Sequence, residues 1–304
     1  MNSIEKDLIL AVADLHQIPS GAFSLRENGK GVERKSSANI DIVPKVDKNG
    51  IDIVIKPNTT NESVHMPVII TKAGIKDLVF NDFYVGENCD ILIVAGCGIH
   101  NPGADASEHN GIHTFHLAKN AKVRYVEKHI GTGAQGDKIL NPVTEIYMEE
   151  GSQLIMETTQ LGGVSSSIRK TIARLQDDAN LVIKEKVVTN DNQFADSKFD
   201  VELIGKNSSC DVISRSVAKG DSKQLFYSSV KGKNKCFGHV ECDAILMDNA
   251  RIVATPEIVA ECVDASLVHE AAIGKIAGEQ LIKLMSLGLT EKEAEDMIVA
   301  GFLS

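Results

Sequence analysis

The sequence lacks several features that would assign it to a common class of protein. It contains no tryptophan, and aromatic residues make up only 4% of its 304 residues, so the core must consist mainly of aliphatic side chains. Its six cysteines include no CxxC pair, which is typical of reduced thiols rather than of a disulfide framework. No apolar run, Ile91–Ala95 included, approaches the ~18 residues of a transmembrane helix. The N-terminus has no signal-peptide pattern, so we expect a cytoplasmic protein.

Phosphate-binding and hydrolytic motifs are also missing. There is no GxxxxGK[ST] loop, GxSxG elbow or HExxH motif. Residues 131–136 fit GxGxxG but lack a strand–turn–helix setting, so we expect a loop there. The formal net charge of −10 disfavours binding to nucleic acid or to an anionic membrane. The chain is therefore not expected to hydrolyse ATP itself.

Short β-rich runs recur from about residue 66 to 270. Many open with a turn residue, one or more small or polar residues and then an aliphatic one, as in Asn88-Cys89-Asp90-Ile91 and Asn120-Ala121-Lys122-Val123. Most steps between these aliphatic positions lie near multiples of about fifteen residues, without intervening helices. One such coil cannot bury its apolar face alone, so the pattern predicts a stacked β-helix, or solenoid. A β-sandwich, which also has short strands and regular turns, is the alternative.

Helical spacing is confined to the two ends of the chain. Residues 1–18 predict an amphipathic helix, and the mixed, polar region 22–62 contains one predicted strand at 51–55, followed by a loop at 57–61. After Gly274 two short helices are predicted, the second opened by a capping box at 290–293. We expect this pair to cap the last coil, and the second helix to present to a partner the apolar residues Ile298, Val299 and Phe302.

Two groups of side chains could carry chemistry, and the first is rich in histidine. It comprises Cys97, His100, His109, His113, His116 and His129. Imidazole and thiolate are the usual ligands of zinc and iron, but this spacing is not a known metal motif. On a strand, His113 and His116 would point to opposite faces. The group indicates either an additional metal site that includes His113 and His129, or histidines that are exposed or hydrogen-bonded.

The second group is Cys242 with His269 and Glu270. At about fifteen residues per coil, the separation is close to two turns, so a solenoid would place these residues nearly above one another on one face. A thiolate, an imidazole and a carboxylate gathered there could bind iron, or Cys242 could carry sulfur as a persulfide. The alternative is that Cys242 is simply packed in the core, where free cysteine is common.

The C-terminal part of the chain carries a long, ordered series of short motifs. They are HEA at 269–271, GK at 274–275, EQL at 279–281, GLT at 288–290 and GF at 301–302. This series resembles the end of the SufB/SufD family, the scaffold proteins of iron–sulfur cluster assembly. Three upstream segments also resemble the family, so the resemblance covers roughly 90 to 304: Gly96-Cys97-Gly98, Ala121-Lys122-Val123-Arg124-Tyr125 and Phe237-Gly238-His239-Val240-Glu241-Cys242-Asp243.

The resemblance implies a right-handed parallel β-helix with helical ends. We accordingly expect an N-terminal helix and irregular segment at 1–65, a core at 66–272 and a C-terminal helical segment at 273–304. It also implies that the C-terminal helices bind a SufC-like ABC ATPase, which would supply the ATP hydrolysis. By position, Cys242 matches the cysteine that SufB proteins use for cluster assembly, and Glu270 the carboxylate beside it. Cys97 and Lys170 resemble positions on a sulfur-transfer route inside the β-helix.

The chain also departs from the family. It is much shorter than a typical SufB, and the family's Gln-Asn-Trp is replaced around 129–131. A compact form suits a two-component system, in which a homodimer pairs with its ATPase and passes a transient cluster, expected to be [4Fe-4S], to recipient apo-proteins.

Two other functions stay open. A SufD-like subunit would anchor the ATPase without holding a cluster. A β-helix enzyme acting on acidic polysaccharide would need an export signal and charged residues clustered along one face, and the missing signal argues against it.

Overall fold

A computed structural model describes residues 3–13, 15, 19 and 21–304 of the chain, and shows a β-solenoid of about eight turns with short helices at both ends. The helices are α1 Ser3–Ala13, α2 Gly278–Met285 and α3 Glu291–Phe302. The strands are β1 Ala22–Glu27, β2 Lys30–Lys35, β3 Ile40–Pro44, β4 Gly50–Ile55, β5 Thr60–Ile70, β6 Lys76–Val85, β7 Asp90–His100, β8 Ser107–Leu117, β9 Lys122–Thr132, β10 Lys138–Leu140, β11 Val143–Met148, β12 Gln153–Gln160, β13 Ser166–Leu175, β14 Asn180–Thr189, β15 Phe194–Leu203, β16 Ser209–Ala218, β17 Lys223–Gly232, β18 Cys236–Leu246, β19 Arg251–Ala260 and β20 Ala265–Gly274. The predicted mainly β solenoid is confirmed.

Coils of the solenoid contribute one strand to each of two sheets. The first sheet has the order β2-β1-β5-β7-β9-β12-β14-β16-β18-β20, and the second has the order β19-β17-β15-β13-β10-β8-β6-β4-β3, with β11 also between β8 and β13. Neighbouring strands run parallel except in the β1–β2 and β3–β4 pairs. Glu185 and Ser214, which lie side by side on adjacent coils, are 29 residues apart. The expectation of about fifteen residues per coil is therefore wrong, because a step of that length is half a coil and two steps make one full turn.

The core lies between the two sheets. Side chains alternate between the two faces of a strand, and the buried ones point inward. Aliphatic residues that open successive runs form one column across the first sheet, namely Ile91, Val123, Leu154 and Leu181. Burying each such side chain stabilises the fold by about 1.5–3 kcal/mol, which explains how a core with few aromatic residues suffices.

One corner of the solenoid explains the turn residue in the recurring sequence phrase. Asn58, Asn88 and Asn120 occupy this corner in successive coils, each with a positive φ. Asparagine tolerates the left-handed conformation because its short polar side chain can form local hydrogen bonds. Here Asn120 Nδ2 donates to Asn88 Oδ1 (3.3 Å), and Asn88 Nδ2 donates to Asn58 Oδ1 (3.4 Å). The ladder holds the corners of adjacent coils in register.

The N-terminal region is more ordered than its polar sequence predicts. The predicted first helix is confirmed as α1, although its residues 1, 2, 14 and 16–18 lie outside the described part of the chain. The strand predicted at 51–55 is β4, but β1, β2 and β3 were missed. They are short, and β2 is exposed along its whole length, so no alternating pattern marks it. The predicted loop at 57–61 ends early, because β5 begins at Thr60 and runs across the boundary expected at residue 66.

The two predicted C-terminal helices are confirmed, including the capping box in which Glu293 N donates to Thr290 Oγ1 (3.3 Å). The expectation that they cap the last coil is wrong. Helix α2 has no buried residue and α3 only one, so the pair covers little of the coil end, and apolar side chains such as Ile282 and Met297 stay exposed. Instead α3 lies beside the first sheet, where Arg215 Nη1 donates to the Phe302 carbonyl (3.3 Å). Among the described residues, no helix is long and apolar enough to span a membrane.

Candidate functional site

Helix α1 and two glycines fix the position of Cys97 on β7. The side chain of Cys97 points inward and is buried, whereas Gly96 and Gly98 face the helix on the outer side. A Cβ on Gly96 would lie 2.7 Å from the Val12 carbonyl oxygen, and one on Gly98 would lie 2.9 Å from Leu8 Cδ2. The Gly-Cys-Gly sequence therefore lets α1 pack directly on the strand that holds this thiol.

Cys97 lines a cavity of about 250 Å³ near the N-terminal end of the solenoid. Four other inward-facing residues of the cavity wall are His109, His113, Glu127 and His129. The structure thus brings Cys97 together with three of the histidines singled out in the sequence. His113 and His116 also point to opposite faces of β8, as expected.

Two histidines of the predicted group lie elsewhere. His100 Nδ1 forms a hydrogen bond of 3.0 Å with Thr132 Oγ1. His116 stacks on the outer face of the second sheet, with ring centroids 4.9 Å from Tyr84 and 5.4 Å from Tyr147. These two residues fit the interpretation of exposed or hydrogen-bonded histidines.

A buried carboxylate orients His109. Asp77 accepts hydrogen bonds from Arg26 Nε (2.7 Å) and from His109 Nδ1 (2.9 Å). Burial opposes ionisation of Asp77, but these hydrogen bonds and the nearby positive charge hold its pKa well below the usual range. Because an ionised carboxylate only accepts, His109 carries a proton on Nδ1.

A second chain of hydrogen bonds orients His113. The Tyr125 hydroxyl donates to Glu127 Oε1 (3.0 Å), so its oxygen accepts the hydrogen bond from His113 Nδ1 (2.9 Å). Burial lowers the pKa of His113 to about 4, so the ring is neutral at pH 7. His113 Nε2 therefore accepts the hydrogen bond that Asn81 Nδ2 donates (3.3 Å).

Charged residues continue from the cavity into the interior. Arg169 Nη2 lies 2.8 Å from Glu127 Oε2, and Arg169 Nε lies 3.9 Å from Glu185 Oε1. Burial would raise the pKa of Glu127, but Arg169 and then His129 lower it well below its usual value. Burial raises the pKa of Glu185, although Ser197 and Ser214 donate hydrogen bonds to its carboxylate. A buried cation thus lies between two buried carboxylates.

The sequence interpretation missed this ion pair network and selected the neighbouring lysine instead. Lys170 lies on β13 beside Arg169, but its side chain points outward and is exposed. Successive residues of a strand face opposite sides, so only one of the two can line the interior. Lys170 therefore does not lie inside the β-helix. A charged residue at an inward-facing position of the alternating pattern was the signal that could have identified Arg169.

A column of inward-facing residues connects the cavity with Cys242. In register across adjacent strands of the first sheet, it contains Glu127, Thr158, Glu185, Ser214 and Cys242. The four strand spacings correspond to about 19 Å. Thr158 Oγ1 and Arg169 Nη1 are buried without a hydrogen-bond partner, as is Gln160 Nε2. The interior between the two thiols is therefore polar and rich in unused donors.

Cys242 itself is buried on β18, with its side chain only 1% exposed. Burial raises the pKa of the thiol to about 12, helped by the negative charges of Glu185 and Asp243. His269 lies on the next strand, paired with Val240, on the same inward face. Its Nδ1 is buried without a hydrogen-bond partner, so an imidazole nitrogen is available close to this thiol.

Glu270 does not share this face. It pairs in register with Glu241, and both side chains point outward, whereas Cys242 pairs with Ala271 on the inner face. The prediction that Cys242, His269 and Glu270 gather on one face is therefore wrong for Glu270 within one chain. The cause is strand alternation, since residues 269 and 270 must face opposite sides. Among the described residues, no three His, Cys, Asp or Glu side chains converge closely enough to hold a metal ion.

The C-terminal end of the solenoid is open. Strands β19 and β20 form the last positions of their sheets, and apolar residues of this coil are exposed, among them Ile258 (42%) and Ile273 (39%). An uncovered coil presents both unpaired strand edges and apolar surface. Ile298, Val299 and Phe302 on α3, predicted to face a partner, are half-buried in this chain.

Together the fold and the site define a β-solenoid protein that holds thiols in its interior and ends in an uncovered coil. Residues 84–302 match the family model described as "SUF system FeS cluster assembly, SufBD core domain". Because this match covers more than two thirds of the sequence, the chain belongs to the SufBD family of the SUF iron–sulfur cluster assembly system. The resemblance found in the sequence is thereby confirmed at the level of the family.

Several archaeal proteins are similar to this chain. An iron–sulfur cluster assembly SufBD family protein of Archaeoglobus fulgidus is 32% identical over 260 residues, which is 84% of this chain and 69% of the relative. A SufBD family protein of Methanocaldococcus jannaschii is 29% identical over 79% of this chain and 76% of the relative. A Methanothermobacter thermautotrophicus relative is 30% identical over 78% of this chain, which spans 58% of that protein.

Proposed function

We propose that this chain is the scaffold subunit of a SUF complex, on which iron–sulfur clusters form at the open end of the solenoid. The observation that carries the proposal is the position of Cys242, at the end of the interior polar column and one strand from the uncovered coil. The cluster is the cargo of the protein, expected to be a transient [4Fe-4S] cluster that passes to recipient apo-proteins. Cys97, which lines the cavity beside the Glu127 end of the column, is the proposed entry point for sulfur.

Cys242 and His269 are the proposed ligands from the inner face. Thiolate and imidazole both bind iron, and iron stabilises the thiolate, so the metal would release the proton that burial retains. A thiol whose pKa is raised to about 12 must lose its proton before it can bind a metal ion. This cost weakens binding and favours release of the cluster, which a scaffold requires.

Glu270 enters the proposal through a second copy of the chain. Since its carboxylate faces away from Cys242, it is the proposed ligand to a cluster held by the partner subunit. A homodimer formed through the two open ends would cover the exposed apolar residues of the last coils and pair their free strand edges. This arrangement places the proposed ligands of both copies at one interface.

The ATP hydrolysis that drives assembly is assigned to a SufC-like ABC ATPase. Helices α2 and α3 lie outside the solenoid and bury very little of their surface on it, so they are accessible to a partner. Ile298, Val299 and Phe302 are the proposed apolar contacts. Binding would begin from their exposed portions and would compete with the contacts that α3 makes with its own chain. We expect the complex to work in the cytoplasm.

The orientation of Glu270 favours one alternative, a SufD-like subunit that anchors the ATPase and holds no cluster. In a single chain Cys242 has His269 as its only proposed neighbouring ligand, and its thiol is protonated at neutral pH. Such a subunit would bind the ATPase through α2 and α3 without taking up iron.

Anaerobic reconstitution tests the proposal. The chain and its ATPase are incubated with ferrous iron and sulfide, and cluster formation is followed by visible absorbance and by iron and sulfide content. The matched variants are Cys242→Ala and Cys210→Ala, since Cys210 is another buried thiol of the same sheet, with a pKa also raised to about 12. We expect cluster in the wild type and in Cys210→Ala but not in Cys242→Ala.

The other outcomes distinguish the alternatives. If neither the wild type nor any variant takes up cluster while the ATPase still binds, the anchoring subunit is supported. If Cys242→Ala takes up as much cluster as the wild type, Cys242 is not a ligand. Size-exclusion chromatography and circular dichroism of each variant show whether the fold is retained.

A further inference from the structure

The outer face of the first sheet carries a groove between helices α1 and α3. The groove has a volume of about 700 Å³ and crosses five neighbouring strands, from β7 to β16. Helix α1 packs against Val94 at one end, and Arg215 Nη1 donates to the Phe302 carbonyl of α3 at the other. The floor combines four apolar and five basic side chains, namely Leu92, Val94, Val126 and Ile213 with Arg124, Lys128, Lys184, Lys186 and Arg215.

The positive charge of the groove exceeds the negative charge beside it. Glu157 supplies the one outward-facing carboxylate among the described lining residues, and it lies 2.8 Å from Arg124 Nη2. No carboxylate of the described residues lies within 4.0 Å of the charged nitrogens of Lys184, Lys186 or Arg215. Lys186 and Arg215 are in register on neighbouring strands, where like charges destabilise a sheet. These cations would therefore gain from an anionic partner.

The size and the mixed floor of the groove favour a short peptide over other anions. Five strands span about 19 Å, which an extended segment of about six residues covers. A phosphate backbone would bury nothing on the apolar floor, whereas an extended peptide presents acidic and apolar side chains in alternation. Beyond Arg215, β18 carries Glu241 and Asp243 on the same outer face, so a longer polyanion would meet negative charge.

We propose that this groove docks an acidic, extended segment of a protein partner. The carboxylates of the segment pair with Lys184, Lys186 and Arg215, and its apolar side chains contact Val126 and Ile213. Single ion pairs at a surface contribute little, so several pairs and the apolar contacts must act together. The groove lies outside the solenoid interior, and the inference does not depend on the proposed function.

Fluorescence anisotropy with the full chain tests the proposal. The probe is a fluorescein-labelled peptide of about six residues that alternates aspartate with leucine, and a peptide with lysine in place of aspartate is its control. Lys184→Glu/Lys186→Glu reverses two charges of the groove and keeps the contact of Arg215 with α3. Lys223→Glu/Arg251→Glu is the matched variant, because these two cations lie in register on the outer face of the second sheet. Circular dichroism checks the fold of both variants.

We expect saturable binding of one acidic peptide per chain and none of the lysine peptide. Binding should weaken at least about tenfold in Lys184→Glu/Lys186→Glu and stay unchanged in Lys223→Glu/Arg251→Glu. Raising sodium chloride from about 50 to about 500 mM should also weaken it, because salt screens exposed charges.

Three outcomes would overturn the proposal. The first is the absence of saturable binding of the acidic peptide to the wild type. The second is an equal loss of binding in the two double variants, which would show a general effect of net charge. The third is tighter binding of a single-stranded oligonucleotide or of phosphatidylserine vesicles that Lys184→Glu/Lys186→Glu removes, since the partner would then be a nucleic acid or a membrane.

Discussion

Replacement of Arg169 by methionine tests whether the interior charges of the solenoid are energetically coupled. The guanidinium lies 2.8 Å from Glu127 and 3.9 Å from Glu185, and all three side chains are buried. Removing one partner of a buried ion pair leaves an uncompensated charge, which costs about 3–5 kcal/mol. We therefore expect Arg169→Met to lower the free energy of unfolding at pH 7 by about that amount.

The pH dependence of this loss follows from Glu127. In the wild type the pKa of Glu127 lies well below the ordinary value of 4.5, so the ionised form of Glu127 stabilises the fold above about pH 4.5. This contribution is lost as pH falls through the folded-state pKa. In Arg169→Met, burial without the cation would raise the pKa of Glu127, so the variant gains stability on protonation. The difference between the two proteins should shrink below about pH 4.5 and grow towards neutrality.

Urea denaturation followed by circular dichroism at several pH values measures both effects. Lys170→Met is the matched control, because this neighbouring side chain is exposed and its loss should change stability by no more than about 0.5 kcal/mol. Combining Arg169→Met with Glu127→Gln and Glu185→Gln should restore much of the loss. A deficit for Arg169→Met below about 1 kcal/mol, or one independent of pH, would refute the coupling.

Two further predictions concern the thiols and the open end. With iodoacetamide at pH 8, the partly exposed Cys262 should react first, whereas Cys242, with its pKa raised to about 12, should react at least about a thousandfold more slowly than an ordinary thiol. Peptide mapping by mass spectrometry checks this, and equal labelling of both cysteines would contradict it. Ile273→Asp, at an exposed position on the inner face of the last coil, should convert the proposed homodimer to a monomer with unchanged circular dichroism. Light scattering after size-exclusion chromatography measures the mass, with Val46→Asp as a fully exposed control; a dimeric Ile273→Asp would exclude this interface.

The solenoid could be predicted from the sequence because its signal is repeated in many coils. A turn residue, a small or polar residue and then an aliphatic one recur at the same corner in many coils, so errors at single positions do not matter. The N-terminal strands β1 to β3 lack that repetition and pair partly as antiparallel hairpins, so no periodic pattern identifies them. The position of the C-terminal helices depends on tertiary contacts such as Arg215 with Phe302, which a local pattern does not encode.

The site was harder to predict than the fold, because it depends on which face each residue occupies. A shift of one residue reverses the face, as Arg169 and Lys170 show on β13 and as His269 and Glu270 show on β20. Of the six residues grouped from the sequence, four line one cavity because they face inward, namely Cys97, His109, His113 and His129, whereas His100 and His116 lie elsewhere. The sequence could not identify Asp77 or Glu127 as partners of the cavity residues, because these residues come together only across coils.

The stacking of coils also sets the distance between the two ends of the interior column. Each coil inserted between Glu127 and Cys242 would add one strand spacing, about 4.8 Å, without changing the residues at either end. A coil is held to its neighbours by the same corner and the same inward column, so whole coils could be gained or lost during evolution as units. The number of coils in the solenoid therefore determines how far the N-terminal cavity lies from the cysteine at the open end.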